Sequence, residues 1–246
     1  MHVPNRQAIL PCTGRACLRP PGWKQPIPYQ ADMNEEESVL HFFSQEENFP
    51  LALIAAEHLD GVRQQYNNRF WKALREHLDV LLAQQSPAWY SRLTEDRSNE
   101  DSLLGLHLEP HAEQRSFLRP FMEQQLLGGS YRIYHGLMWN ITPEPAQKNL
   151  PAVETLRVRL GEAGFKHNDS FLAWQWSPWY PRRKDFLLRF SRGQDELLQE
   201  AMQPWQWLLE KHGEHLRLAN LALNEAPRSA AVSLDQLHGR SRGRPD

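Results

Sequence analysis

The chain reads as an α+β protein: N-terminal helices, then a small antiparallel sheet packed with two C-terminal helices. Three observations predict this. Apolar residues recur every three or four positions over much of residues 35–85, the middle of the chain switches to period-two alternation, and helical spacing returns after residue 150. Helices followed by a mixed strand–helix region define the α+β class rather than a doubly wound sheet.

Residues 1–32 carry six prolines and no period of 2 or 3.6, so they are expected to form a disordered extension. Cys12 and Cys17, the only cysteines, fall within it; lacking a second Cys/His pair nearby, they read as unpaired thiols rather than half a zinc site. Asn34 is a candidate N-cap, with Glu35, Glu36 and Glu37 where a helix dipole favours negative charge. Val39, Leu40, Phe42 and Phe43 fit a first short helix, and Pro50 opens a second through Leu59. After Gly61 a third begins, carrying Val62, Tyr66, Phe70, Leu74, Leu78, Leu81 and Leu82 on one stripe until Ser86-Pro87. The polar run Thr94–Ser102 reads as a surface loop.

Leu104–Leu108 and Tyr131–Trp139 alternate as half-buried strands, the second preceded by a Gly128-Gly129 turn. Pro151 starts a helix with Val153, Leu156, Val158 and Leu160 that closes at Gly161 or Gly164. Phe171–Trp179 is aromatic and extended, and Asp185–Phe190 reads as a further strand. A final helix runs from about Gln194 past Leu209, with a break expected at Pro204. One α+β domain over residues 33–225 is therefore expected, followed by a disordered basic tail over 226–246.

The net charge of −2 argues against wholesale polyanion binding. No run approaches the roughly 18 apolar residues of a membrane span, and the N-terminus has no signal-peptide core, so no membrane partner and a cytoplasmic location are expected. Nucleophile elbows, glycine-rich phosphate loops and dinucleotide fingerprints are all missing. His107 and His111 flank Glu109, but Pro110 prevents the shared helical face a metal would use, and the pair reads as surface histidines. No cofactor is expected.

Two segments suggest weak nucleic-acid binding. Trp174, Trp176, Trp179 and Tyr180 precede Arg182, Arg183 and Lys184, combining rings for base stacking with cations for phosphates. Trp179, Tyr180, Arg182, Arg183 and Lys184 are the candidate contacts, whereas alternation at Trp174 and Trp176 favours packing beneath the helices. At the C-terminus, Arg242-Gly243-Arg244-Pro245 resembles the core of an AT-hook, which makes Arg242 and Arg244 further candidates, although a solubilising role explains the tail better.

The stretches Asn48–Glu57 and Asn68–His77, the Leu156–Phe165 helix ending in Gly164-Phe165, and Trp176-Ser177-Pro178-Trp179 resemble the region after the catalytic core in a group of bacterial PD-(D/E)XK nuclease superfamily proteins. The resemblance covers roughly residues 35–225. It implies metal-assisted phosphodiester hydrolysis, which in that family needs an acidic residue two places before a lysine. The residues two before the six lysines are Gly22, Phe70, Ala146, Gly164, Arg182 and Leu209, none of them acidic. The resemblance thus implies a noncatalytic accessory or interaction domain without the nuclease core, whose partners would be nucleic acid, a separate nuclease or another protein subunit. The alternative is a metal-dependent nuclease with a rearranged site, using Mg2+ at Glu109 or Asp185 with an arginine in place of the lysine.

Overall fold

A computed structural model of the chain describes residues 34–111 and 116–227. The elements are α1 (Glu35–Ser44), α2 (Phe49–Gln85), β1 (Trp89–Asp96), β2 (Asn99–Pro110), β3 (Leu118–Leu127), β4 (Ser130–Trp139), α3 (Pro151–Glu162), β5 (Phe171–Trp176), α4 (Lys184–Arg192) and α5 (Gln194–Glu225), with a 3-10 turn at Gln147–Asn149. The strands form one antiparallel meander in the order β1-β2-β3-β4-β5. The protein is α+β. The expected disordered segments, together with Cys12, Cys17, Arg242 and Arg244, lie essentially outside the described residues.

The chain divides into two units, one ending at Ala55 and the other beginning at Ala56. In the first, α1 starts where its cap signal places it. The Asn34 side chain accepts from Glu37 N at 2.9 Å and the Glu37 carboxylate accepts from Asn34 N at 3.3 Å, a reciprocal capping box. No residue of α1 is buried.

The second unit holds two apolar clusters on one side of the sheet. In the first, Phe70, Trp71, Leu74, Leu78 and Leu82 of α2 meet Leu106, Leu108, Met122 and Ile133 of the sheet, Phe186 and Phe190 of α4, and Leu197, Leu198, Ala201 and Trp205 of α5. In the second, Val153, Leu156 and Leu160 of α3 pack with Leu118, Leu137, Leu172 and Ala173 of the sheet and with Leu216, Ala219 and Leu223 of α5. One buried and one half-buried amide fasten the layers. Asn67 Nδ2 donates to Leu103 O at 2.9 Å, and the Asn220 side chain accepts from both Phe117 N and Leu118 N while donating to Leu118 O.

Several elements differ from the sequence reading. Gly61 does not end a helix: α2 is continuous, and the glycine is tolerated at a cost of about 1 kcal/mol. Thr94–Ser102 is not a surface loop but the β1–β2 hairpin, closing at Asp96 and Asn99; β1 is an edge strand, so polar residues such as Arg92 and Thr94 weaken its apolar pattern. Asp185–Phe190 is helical. Phe186 and Phe190 are four apart and both buried, the spacing of one helix face. Strand β3, a stretch to which the sequence reading assigns no element, contains Pro120; pairing with β2 covers only Phe121–Glu123, so Pro120 sits where no hydrogen bond to β2 is needed. Helix α5 runs through Pro204 without ending, held by Ala201, Met202 and Trp205 in the core. Three helices, not two, therefore follow the first four strands.

Two glycines behave oppositely. Gly136 has φ +155°, and a Cβ there would strike the carbonyl oxygen of Ala173 on β5. Gly136→Ala is expected to cost about 1–3 kcal/mol through forced strand separation. Gly61→Ala in α2 meets open space and should stabilise by roughly 0.4–1 kcal/mol. Urea midpoints of the two variants on opposite sides of wild type are the expected result; a neutral Gly136→Ala would mean that β4 and β5 are not tightly apposed there.

Candidate nucleic-acid interface

The sheet face opposite the helices is not uniformly polar. Register sets its occupants: Glu123 pairs with Tyr134, Tyr134 with Trp176, and Gly136 with Trp174. Residues alternating with the inward-facing Ile133 and Leu137 therefore point away from both clusters. Trp174 and Trp176 belong to this outer face, each partly buried, rather than to the core beneath the helices that their alternation suggested. Period-two alternation reports that one face is apolar without saying which face the helices cover.

The segment after β5 continues along β4. Ser177 N and Oγ both donate to Ile133 O at 2.9 Å, Ile133 N donates to Trp179 O at 3.1 Å, and Arg132 Nε donates to Ser177 O at 3.1 Å. This brings Tyr180, Arg182 and Arg183 beside Tyr131 and Arg132. A continuous strip results. The Phe171 ring lies 5.7 Å edge-on to Tyr134, Tyr134 lies 5.5 Å from Trp176, and the Arg132 guanidinium sits 5.2 Å from the Trp176 ring and 5.4 Å from Tyr180. The Arg183 guanidinium lies over the Tyr180 ring at 4.0 Å. Trp174 joins from the side, 5.5 Å edge-on to Trp176, with the Lys166 ammonium 5.8 Å from its ring. Among the described residues the buried Trp174 Nε1 has no hydrogen-bond partner. Such cation–ring contacts each contribute about 0.5–1 kcal/mol at exposed positions and hold the rings and charges in register.

The sequence-derived candidates divide on this geometry. Tyr180 and Arg183 join the strip. Arg182 packs 4.2 Å over the Tyr131 ring, and its Nη2 donates to Ser102 Oγ at 3.4 Å. Lys184 opens α4. Trp179 instead packs against the α2 cluster. Sequence reasoning missed Tyr134, Phe171, Arg132 and Lys166. The signal for the first three was present as alternation in Tyr131–Trp139 and Phe171–Trp176, but their convergence depends on strand register.

At the β1 end of the same face lies a polar chain. Tyr134 donates to Glu123 Oε2 at 3.2 Å, and Thr94 Oγ1 lies 3.0 Å from Glu123 Oε1 and 3.1 Å from His107 Nδ1. His107 Nε2 lies 3.1 Å from Glu109 Oε1. His107 is buried, not one of a surface pair, while His111 is exposed with its ring 4.9 Å from Tyr90. Burial pushes His107 below the ordinary histidine range, assisted by Arg119, and burial pushes the Glu123 carboxyl upward. Both shifts favour the uncharged form of the group concerned. Glu109 is held below the usual carboxylate range, first by the Tyr90 hydroxyl at 2.6 Å. Arg119 at 3.3 Å and Arg92 at 3.6 Å also face its oxygens. Both Glu109 oxygens thus already have donors. Asp185 is exposed in the first turn of α4. Among the described residues no three His, Cys, Asp or Glu side chains converge as a metal-binding group, and no helix is long and apolar enough to cross a membrane.

Comparison with family models, with curated proteins and with solved structures gave no match.

Proposed function

We propose that the chain is a noncatalytic module that binds single-stranded nucleic acid along the Phe171–Tyr134–Trp176–Arg132–Tyr180–Arg183 strip. The observation that carries this reading is a run of three neighbouring, partly exposed rings, Phe171, Tyr134 and Trp176, continued by the Arg132 and Arg183 guanidinium groups about Tyr180, at centroid separations of 4.0–5.7 Å. Rings offer stacking planes to bases of any identity, and cations offer charge to the intervening phosphates. A five-stranded sheet with helices on one face and aromatic side chains on the other is the arrangement by which sheet-based modules present such planes. This reading accords with the accessory role that the nuclease-family resemblance implies.

The alternative metal-dependent nuclease reading needs Glu109 or Asp185 at a metal. The four donors around Glu109 favour a structural role for that carboxylate. Binding of a fluorescent single-stranded oligonucleotide at low salt, followed by anisotropy, tests the proposal. Trp176→Ala and Tyr180→Ala are each expected to weaken binding about tenfold, since a base–ring stack contributes about 1–3 kcal/mol. Arg132→Ala should weaken it and flatten the salt dependence. Near physiological salt the wild-type affinity is expected to be weak, because the net charge is −2. Affinity unchanged in all three variants, or Mg2+-dependent cleavage lost in Glu109→Ala or Asp185→Ala, would overturn the proposal.

A further inference from the structure

The strip ends at a cavity of about 370 Å3 lined by Arg63, Arg182, Arg183 and Lys184, with Tyr131 and the Gly129-Ser130 turn along its wall and Asp60 as the one carboxylate among the described residues. That volume falls within the range of small-ligand sites, about 300–1,000 Å3. Three guanidinium groups from two separate segments, Arg63 of α2 and Arg182 and Arg183 before α4, line one space beside Lys184. Such crowding costs self-repulsion and is relieved by an anion.

The charge is held in place. Arg182 is fixed by the Tyr131 ring at 4.2 Å and by Ser102 Oγ at 3.4 Å, and its buried Nε has no hydrogen-bond partner among the described residues. Arg183 is fixed by Tyr180 at 4.0 Å. Its backbone is the N-cap of α4, without a side-chain cap hydrogen bond. Among the described residues Arg63 is tied to Asp60, at 3.1 Å on an exposed surface. The wall is shaped by a two-residue turn whose glycines, Gly128 at φ +55° and Gly129 at φ +79°, adopt a conformation that side chains disfavour.

The density of charge differs between strip and cavity. Along the strip, three neighbouring rings are followed by two guanidinium groups about Tyr180, a spacing of charge that suits single phosphodiester charges. At the cavity, three guanidinium groups line one space, which suits a dianionic phosphomonoester accepting several charge-assisted hydrogen bonds. Arg183 belongs to both. Resting on the reading of the strip as a single-strand surface, we infer that the cavity takes the phosphorylated end of the strand, so that the protein recognises phosphate-bearing termini rather than strand interiors.

The experiment compares one single-stranded oligonucleotide in three forms, unmodified, 5′-phosphorylated and 3′-phosphorylated, in anisotropy titrations with the full chain. One of the phosphorylated forms is expected to bind about tenfold or more tightly than the unmodified form. Arg63→Ala, on the far wall from the strip, should remove most of that preference while unmodified strand binds as before, and Arg63→Glu should reverse it. Inorganic phosphate should compete away the increment alone. Equal affinity for all three forms would overturn the inference and leave the strip proposal standing. No binding of any form would remove both. Saturable competition by inorganic phosphate without preference for a phosphorylated end would make this a free-phosphate site and would also overturn the inference.

Discussion

Truncating Trp71 to alanine is expected to remove about 3–5 kcal/mol of folding stability, enough to leave a protein of ordinary stability partly unfolded at 37 °C. Trp71 is fully buried on α2, edge-on to Phe70 at 5.0 Å, within the cluster that joins α2, the sheet, α4 and α5. Its removal opens a cavity between layers that cannot collapse without moving several elements. It also takes away the indole N–H that reaches Gln124 Oε1 at 3.4 Å, leaving that buried oxygen without its donor. Trp176→Ala, by contrast, removes a ring from the outer face and should cost markedly less. Urea denaturation of the two variants separates the cases. A Trp71→Ala loss below about 1 kcal/mol would mean that α2 is not a structural wall of this core.

Acidification should destabilise the protein through His135, by on the order of 3 kcal/mol as the pH falls from 7 to below 4. The imidazole is buried on the helix side of β4, 3.0 Å from Gln175 Nε2 and 5.7 Å edge-on to Phe165, and its Nδ1 has no partner among the described residues. Burial pushes its pKa down to about 4, against about 6.5 in an unfolded chain. A group whose folded pKa is depressed contributes stability that is present above the unfolded value and lost as the pH falls through the folded one, so the window is 6.5 to about 4. His107 and His212, also lowered chiefly by burial, act in the same direction. Glu123 acts oppositely: its raised pKa means that ionisation costs stability as the pH rises past the ordinary carboxylate range. The His135→Gln variant isolates the effect. Its stability–pH curve should be flatter than wild type between pH 6.5 and 4, and parallel curves would show that His135 protonates in the fold without penalty.

The local signals of this chain were legible where a segment's pattern reflects its own periodicity. The Asn34 cap, the stripe Phe70–Leu74–Leu78, the Gly128-Gly129 turn and the Pro151 helix start each depend on residues within a few positions of one another, and each stands where the sequence places it. Asp185–Phe190 failed because two phenylalanines four apart fit a short strand nearly as well as one helical turn, and only burial of both against α2 and α5 selects the helix. Thr94–Ser102 failed because an edge strand needs only one apolar face, and polar residues on the other conceal it. The candidate interface divided in the same way. Ring-and-cation composition singled out Tyr180 and Arg183 in the sequence. The strip that joins them to Arg132, Tyr134 and Phe171 exists only because β4 pairs with β5 in one register and Ser177 extends that pairing to Ile133. A shift of one residue would turn every one of those rings toward the opposite face. That choice is made by the apolar contacts of Ile133, Leu137 and Ala173 with the helices, which are non-local and carry no signature in the segments themselves.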